Sequence, residues 1–213
     1  KQHVGKAFLL NLDLKDFFPS ISAKRIKQLL YADLDLFEKE DVANAVTLLC
    51  TYNGYLPTGA PTSPVISNFI CLHLDKRLMA FCAERNITYT RYADDLSFSS
   101  DDYFTDECIN DLKKLIEKHH FKINEKKFRI NSSKSKQTVT GLIVNNKVNV
   151  DRRYIRNIRA TLHCWKLNGL VYSSSRHLGI LDANEQQQQQ FMAKIKGQIN
   201  FVGSVRGKTD VIF

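Results

Sequence analysis

The sequence predicts an α+β fold, an antiparallel sheet backed by helices and followed by a helical, basic portion. Three observations carry this. The near-continuous apolar run from Ala7 to Leu12 suits a central strand buried on both faces. The stretch ITYTRYADDLSFSS alternates aromatic and β-branched residues with polar ones on both sides of Ala93-Asp94-Asp95, which reads as two strands joined by a hairpin. Amphipathic helical patterns separate these segments, and antiparallel strands mixed with helices argue α+β.

Each element follows in order. After the first strand, Ser22 precedes AKRIKQLLYADLDLFEKEDVANAVTLLC, helical in period and long enough for two helices. TYNGYLPTGAPTSP is a Gly/Pro-rich loop. Ser63 suits an N-cap and Pro64 the first helical position. From there Ile66, Phe69, Ile70, Leu74, Leu78, Phe81 and Cys82 share roughly one helical face to Glu84. The YADD hairpin comes next. TDECINDLKKLIEKHH is an amphipathic helix, FKINEKKFRI a strand or loop, and QTVTGLIVNNKVNV a second hairpin turning at Asn145-Asn146. The rest is helical, with the five consecutive glutamines of NEQQQQQFMAKIKGQINFV on a polar face. The expected division is 1–150 for the sheet and its helices and 151–213 for the helical portion.

Composition bounds the function. The chain has 213 residues, 43% of them apolar, enough for one sizeable domain with a small appendage. No run approaches the roughly 20 apolar residues of a membrane span. The five cysteines show no CxxC pair, as expected of reduced core thiols in a cytoplasmic protein rather than a disulfide frame or zinc site. With no secretory signal and Lys1 in place of Met, the sequence reads as a piece of something longer. Net charge is +9, concentrated in EKHHFKINEKKFRINSSKSK and DRRYIRNIRATLHCWK, where rings interleave with Lys and Arg. A solvated face explains such stretches; so does a nucleic-acid footprint.

The chemistry turns on three acids. Asp13 ends the buried strand, and Asp94 and Asp95 sit at the hairpin. Adjacent carboxylates repel, and partial burial disfavours their charged forms. Two readings stand. The pair is a solvated turn, since Asp is a common turn residue. Or the three carboxylates converge on Mg²⁺, a hard cation that accepts a few carboxylates, waters and phosphate oxygens.

The motifs LNLDLKDFFPSI, LPTGAPTSPVISNF and RYADDLSFS resemble the palm motifs of reverse transcriptases, in order. FKINEKKFRI resembles the next palm motif and TVTGLIVN the primer-grip region. Within that superfamily the chain is most similar to retron-type bacterial enzymes. Lys1-Gln2-His3 looks like the end of their Asn-Ala-x-x-His element, and Val139-Thr140-Gly141 matches their Val-Thr-Gly. The resemblance implies a polymerase palm with part of a thumb, and RNA-directed synthesis of DNA from dNTPs with two Mg²⁺, or Mn²⁺ as substitute. Partners would be an RNA template, a primer, a cognate non-coding RNA and an accessory effector protein, with no membrane.

The same resemblance assigns roles. Asp13, Asp94 and Asp95, with the Leu14 backbone, would bind metal. Phe18 would be the steric gate against a 2′-hydroxyl, while Phe17 suits core packing. The backbone at Asp16-Phe17 would lie near the triphosphate, Thr58 and Gly59 under the nucleotide, and Lys126 or Lys127 near the departing pyrophosphate. Many relatives have Gln at the Thr58 position, so the usual side-chain contact there is in doubt. Tyr92, Thr140, Gly141 and Leu142 would border the primer. Arg152, Arg153, Arg156 and Arg159 would contact duplex or structured RNA, and His3 suits a core histidine. A piece lacking the fingers segment is expected to polymerise slowly. Alternatives are a group II intron or phage-defence reverse transcriptase, a non-catalytic RNA-binding module of the same fold, and a nucleotide cyclase; the last has no place for LPTGAPTSP.

Overall fold

The computed structural model describes residues 1–33, 39–207, 209 and 210. The chain divides into two compact units, Gln2–Thr140 and Gly141–Phe213 with Lys1. The first is built on four strands: β1 (Phe8–Asp13), β2 (Thr88–Tyr92), β3 (Asp95–Ser100) and β4 (Arg129–Ser132). They form an antiparallel sheet in the order β2-β3-β1-β4. Its interior position explains why β1 is apolar without alternation: Leu9 and Leu10 point to opposite faces and both are buried.

Helices cover one face. They are α1 (Ala23–Gln28), α2 (Glu40–Cys50), α3 (Ser63–Ile70), α4 (Leu72–Ala83) and α5 (Asp106–Lys118). Leu74 and Leu78 of α4, and Leu112 and Ile116 of α5, join Leu10, Leu12, Leu96 and Phe98 in one apolar core. Thr105 caps α5 by accepting from the Cys108 N–H, and Asp106 and Glu107 in the first turn complement the helix dipole.

The opposite face of β1 and β3 is polar yet buried. The serines that alternate with Leu96 and Phe98 are buried, Ser99 against His3 and Ser97 against Asn11. His3 bridges two hydroxyls, Nδ1 at 2.7 Å from Ser99 Oγ and Nε2 at 2.7 Å from Thr90 Oγ1. Asn11 donates to Ser97 Oγ, and Gln137 donates to the carbonyls of Lys6 and Asn131. His3 is thus a core histidine.

Three local expectations are corrected. Ser63 is the first residue of α3, not its cap; its hydroxyl donates to the Pro57 carbonyl, so the loop claims the group a cap would have used. The apolar face from Ile66 to Cys82 is two helices, because the chain turns at Cys71 (φ −84°, ψ −5°). The second hairpin is β5 (Thr138–Val139) and β6 (Leu142–Ile143), turning at Thr140-Gly141. Both turn residues have positive φ, 47° and 83°, the left-handed pair that tight hairpins require. Asn145-Asn146 falls in a wider loop closed by the Ile143–Asn149 bridge. After α1 the expected helical stretch continues as a π-helical turn, Leu29–Asp33, and residues 34–38 lie outside the described residues.

The second unit packs α6 (Arg152–Leu178) with α7 (Glu185–Arg206). Gly169 (φ 80°, ψ 175°) breaks α6 into two helical pieces. Asn184 and Gln187 cap α7 reciprocally, so the glutamine run supplies its own N-terminal box. Val150, Ile158 and Val202 are buried together, with Leu142 and Tyr154 against them. Among the described residues no helix is long and apolar enough to cross a membrane. All five cysteines are free, Cys71 and Cys82 buried and the others half-buried.

Candidate active site

The strand register brings the acids together. Antiparallel pairing sets Asp13 at the end of β1 opposite Asp95 at the start of β3, and Tyr92 at the end of β2 opposite the same Asp95. Ala93 and Asp94 alone form the turn, Ala93 in the left-handed region (φ 51°). Just past β1 the Leu14 N–H donates to the Asp94 carbonyl (3.0 Å), tying that turn to the strand end.

Asp13 is buried (4% exposed), and each of its carboxylate oxygens has a partner. Lys127 Nζ donates to Oδ1 at 2.7 Å and Asn124 Nδ2 to Oδ2 at 3.1 Å. The hydrogen bond and charge of Asp13 raise the Lys127 ammonium above the usual lysine value. Asp95 is more open, yet its carboxyl is raised, first by partial desolvation and then by the carboxylates of Asp94 and Asp13. Among the described residues no group of three or more acid, histidine or cysteine side chains is gathered closely enough to enclose a metal ion; of the expected triad, Asp13 and Asp94 line the cleft described next and Asp95 does not. The donor set still fits a hard cation: carboxylate oxygens, one held by a lysine ammonium and one raised by its neighbours.

A cleft of about 840 Å³ opens beside these acids. Asp13, Leu14, Asp16, Phe17, Phe18, Thr58, Asp94, Lys126 and Lys127 line it. Asp16 sits in a left-handed conformation (φ 49°), and the Ser20 and Ile21 N–H groups donate to the Phe17 and Phe18 carbonyls, closing a 3₁₀ turn at Phe18–Ser20. Phe17 points into the core at 4% exposure, and Phe18 packs beside it, ring centroids 5.1 Å apart. Gly59 follows Thr58 with φ 89°, a backbone state that favours glycine. Lys126 and Lys127 are both exposed, but Lys127 reaches Asp13 and pairs with it.

Other sequence candidates lie elsewhere. Asp95, Gly59, Tyr92 and Thr140 are not among the cleft-lining residues, and Tyr92 is 72% exposed. Gly141, Leu142 and the four arginines belong to the other unit. Arg152, Arg153, Arg156 and Arg159 are all exposed on α6. Leu142 packs against the Val150–Ile158–Val202 cluster.

Two features escaped the sequence reading. Asn124 holds Asp13 from a segment read only as strand or loop. Arg91, read as a strand residue, is a clamp. Its guanidinium donates to both Asp75 oxygens (2.8 and 2.6 Å), to Asn68 Oδ1 (3.2 Å) and to the Ala93 carbonyl (3.1 Å). It therefore fastens the YADD turn to α3 and α4. Tyr89 also donates to Asp75 (2.8 Å), and burial, then that carboxylate, pushes its phenol up. The available signal was a cation at a strand position next to the turn.

Residues 1–145 match the model of the family described as reverse transcriptase (RNA-dependent DNA polymerase). The chain belongs to the reverse transcriptase family. Among curated relatives it is 37% identical over 163 residues to the retron Ec86 reverse transcriptase of Escherichia coli, covering 76% of this chain and 50% of that one. It is 36% identical over 180 residues to the retron Mx65 reverse transcriptase of Myxococcus xanthus, covering 76% and 42%. The chain thus spans half or less of the length of these retron relatives. Among solved structures, telomerase from Candida albicans in complex with a fragment of telomeric RNA superposes with a TM-score of 0.51 at 12% identity, over 95% of this chain and 42% of that one. Apo telomerase from Candida tropicalis gives 0.52, over 71% and 36%. The reverse-transcriptase fold, an antiparallel palm sheet followed by a helical thumb portion, is shared with both.

Proposed function

We propose that this chain carries the catalytic core of a retron-type RNA-directed DNA polymerase. The observation that supports it most is the register that sets Asp13 opposite Asp95, with Asp94 in the adjoining turn, beside a cleft walled by Phe18 and Lys127. The reaction is attack of a primer 3′-hydroxyl (or an RNA 2′-hydroxyl at priming) on the α-phosphate of a dNTP. Two Mg²⁺ ions, or Mn²⁺ in their place, held by Asp13, Asp94 and Asp95 with the Leu14 backbone, would activate the hydroxyl and offset charge on the departing pyrophosphate.

The chain's own residues orient and exclude. Phe18 stacks beneath the sugar and fills the space of a 2′-hydroxyl. The backbone at Asp16 and Phe17 faces the triphosphate, with Thr58 and Gly59 beneath the base. Lys127, already paired to Asp13 at 2.7 Å, supplies positive charge where the pyrophosphate leaves. Lys126 is free to reach the same oxygens. Tyr92, Thr140, Gly141 and Leu142 border the primer, and the arginine row of α6 meets nucleic-acid phosphates. The partners are an RNA template, a primer and a cognate non-coding RNA, with an accessory effector protein, in the cytoplasm.

The test is primer extension on RNA with dNTPs and Mg²⁺. Asp94→Asn is expected to lower the rate by about 10²-fold or more while RNA binding is retained, since charge is lost and shape kept. Wild-type extension by both Asp94→Asn and Asp95→Asn would end this reading.

A further inference from the structure

A second pocket, of about 410 Å³, lies in the same compact unit and shares no lining residue with the cleft. Ser22, Lys24 and Arg25 from the start of α1, His73 of α4, and His119 and His120 at the end of α5 line it. No acidic side chain lines it among the described residues. Arg25 Cζ stands 4.7 Å over the Phe121 ring, and its Nη1 is buried with no hydrogen-bond partner among the described residues. A buried guanidinium nitrogen without a partner is costly, and such groups in native proteins call for an explanation. His119 titrates below the usual histidine value, first through burial and then through Arg25, His73, Arg77 and His120. The pocket therefore concentrates positive charge that nothing lining it offsets.

We infer that this pocket binds phosphate, with the half-buried Arg25 as its donor, and that the phosphate is a backbone phosphodiester of RNA. Arginine's planar fork suits phosphate oxygens, and the half-buried Arg25 side chain keeps part of its surface open to the pocket while Nη1 is held inside. Lys24, His73 and His120 are exposed at the rim, so a phosphate seated on Arg25 stays open to a chain continuing outside. The rings of Phe121 and Phe17, centroids 5.6 Å apart, stand between Arg25 and Phe18, which marks the pocket as a site apart from the cleft. The RNA assignment rests on the proposed function; the phosphate chemistry does not.

The experiment titrates a labelled RNA hairpin with a single-stranded tail against the 213-residue chain at several salt concentrations. Arg25→Gln and the rim variant Lys24→Ala are each expected to flatten the slope of log affinity against log salt by about 0.7 to 0.9. Thermal unfolding shows whether Arg25→Gln is folded, and the exposed Lys24→Ala keeps the test decisive if it is not. In parallel, histidine ring resonances are followed during titration with inorganic phosphate, and those of His119 and His120 are expected to move. Wild-type slopes in both variants with unmoved rings overturn the site. Wild-type slopes with moving rings overturn the RNA assignment and make the pocket a small-anion site. Primer extension by the wild-type chain tests the polymerase reading separately, so either can fail alone.

Discussion

At the scale of single residues the site is a balance of like charges against a few cations. Sugar selection is expected to lie with Phe18, whose ring leans on Phe17 at the cleft wall. Phe18→Val should raise rNTP use relative to dNTP use in single-nucleotide incorporation, with dNTP use also reduced. An unchanged ratio would make the ring a packing residue only. His3 makes a different prediction. Burial lowers His3 from 6.5 to about 4, so folding disfavours its protonation. The unfolded chain binds the extra proton between those values, and stability is therefore present above about pH 6.5 and lost as pH falls towards 4. A tenfold change in proton affinity corresponds to about 1.4 kcal/mol, so denaturant midpoints should fall across this window. In His3→Gln the slope between pH 6.5 and 5 should flatten, and a slope equal to wild type would refute the assignment. The acids were legible because two adjacent aspartates between strands are conspicuous. The choice of Lys127 over Lys126 was not, because a 3₁₀ turn at Glu125–Lys127 decides which lysine faces Asp13.

At the scale of elements the YADD turn is held from behind. Arg91 is buried (side chain 6% exposed) and Asp75 about a quarter exposed, so removing the acid strands a largely dehydrated guanidinium. Asp75→Asn is expected to cost about 3 kcal/mol, the low end for breaking a buried pair, and to slow extension through the loosened turn. Chemical denaturation of Asp75→Asn, Arg91→Met and the double variant closes a cycle. Additive losses would show that the pair is not coupled. Helices and strands were readable here because their periods are strong: Ile109, Leu112 and Ile116 mark the buried face of α5. Junctions were not. The Cys71 break keeps the helical pattern in phase, and the Thr140-Gly141 turn lacked the Asn-Asn signal that drew the expectation five residues further on. The burial of Ser97 and Ser99 was equally hidden, since alternation says which residues share a face but not what covers it.

At the scale of the whole molecule, charge and topology each have a consequence. The exposed row Arg152, Arg153, Arg156 and Arg159 is where the net charge of +9 would meet nucleic acid. Each Ala variant should weaken RNA binding with little regard to sequence and flatten the salt slope by about 0.7 to 0.9 per lost phosphate contact. Wild-type slopes in all four would leave the row a solvated face. Topology bears on time. β1 pairs with β3 and β4, strands made much later in the chain, and Asp13 meets Asp95 only across that pairing. Ribosomes add roughly 5–20 residues per second, so the apolar β1 waits on the order of ten seconds for its neighbours. Distant pairings of this kind also form slowly, because loop closure must precede any reward. Nascent chains therefore pass through a period with an unsatisfied hydrophobic strand and no assembled carboxylates. A chain released or stalled within that period is expected to aggregate through the exposed β1 rather than fold, since transiently uncovered apolar strands are what make such species associate.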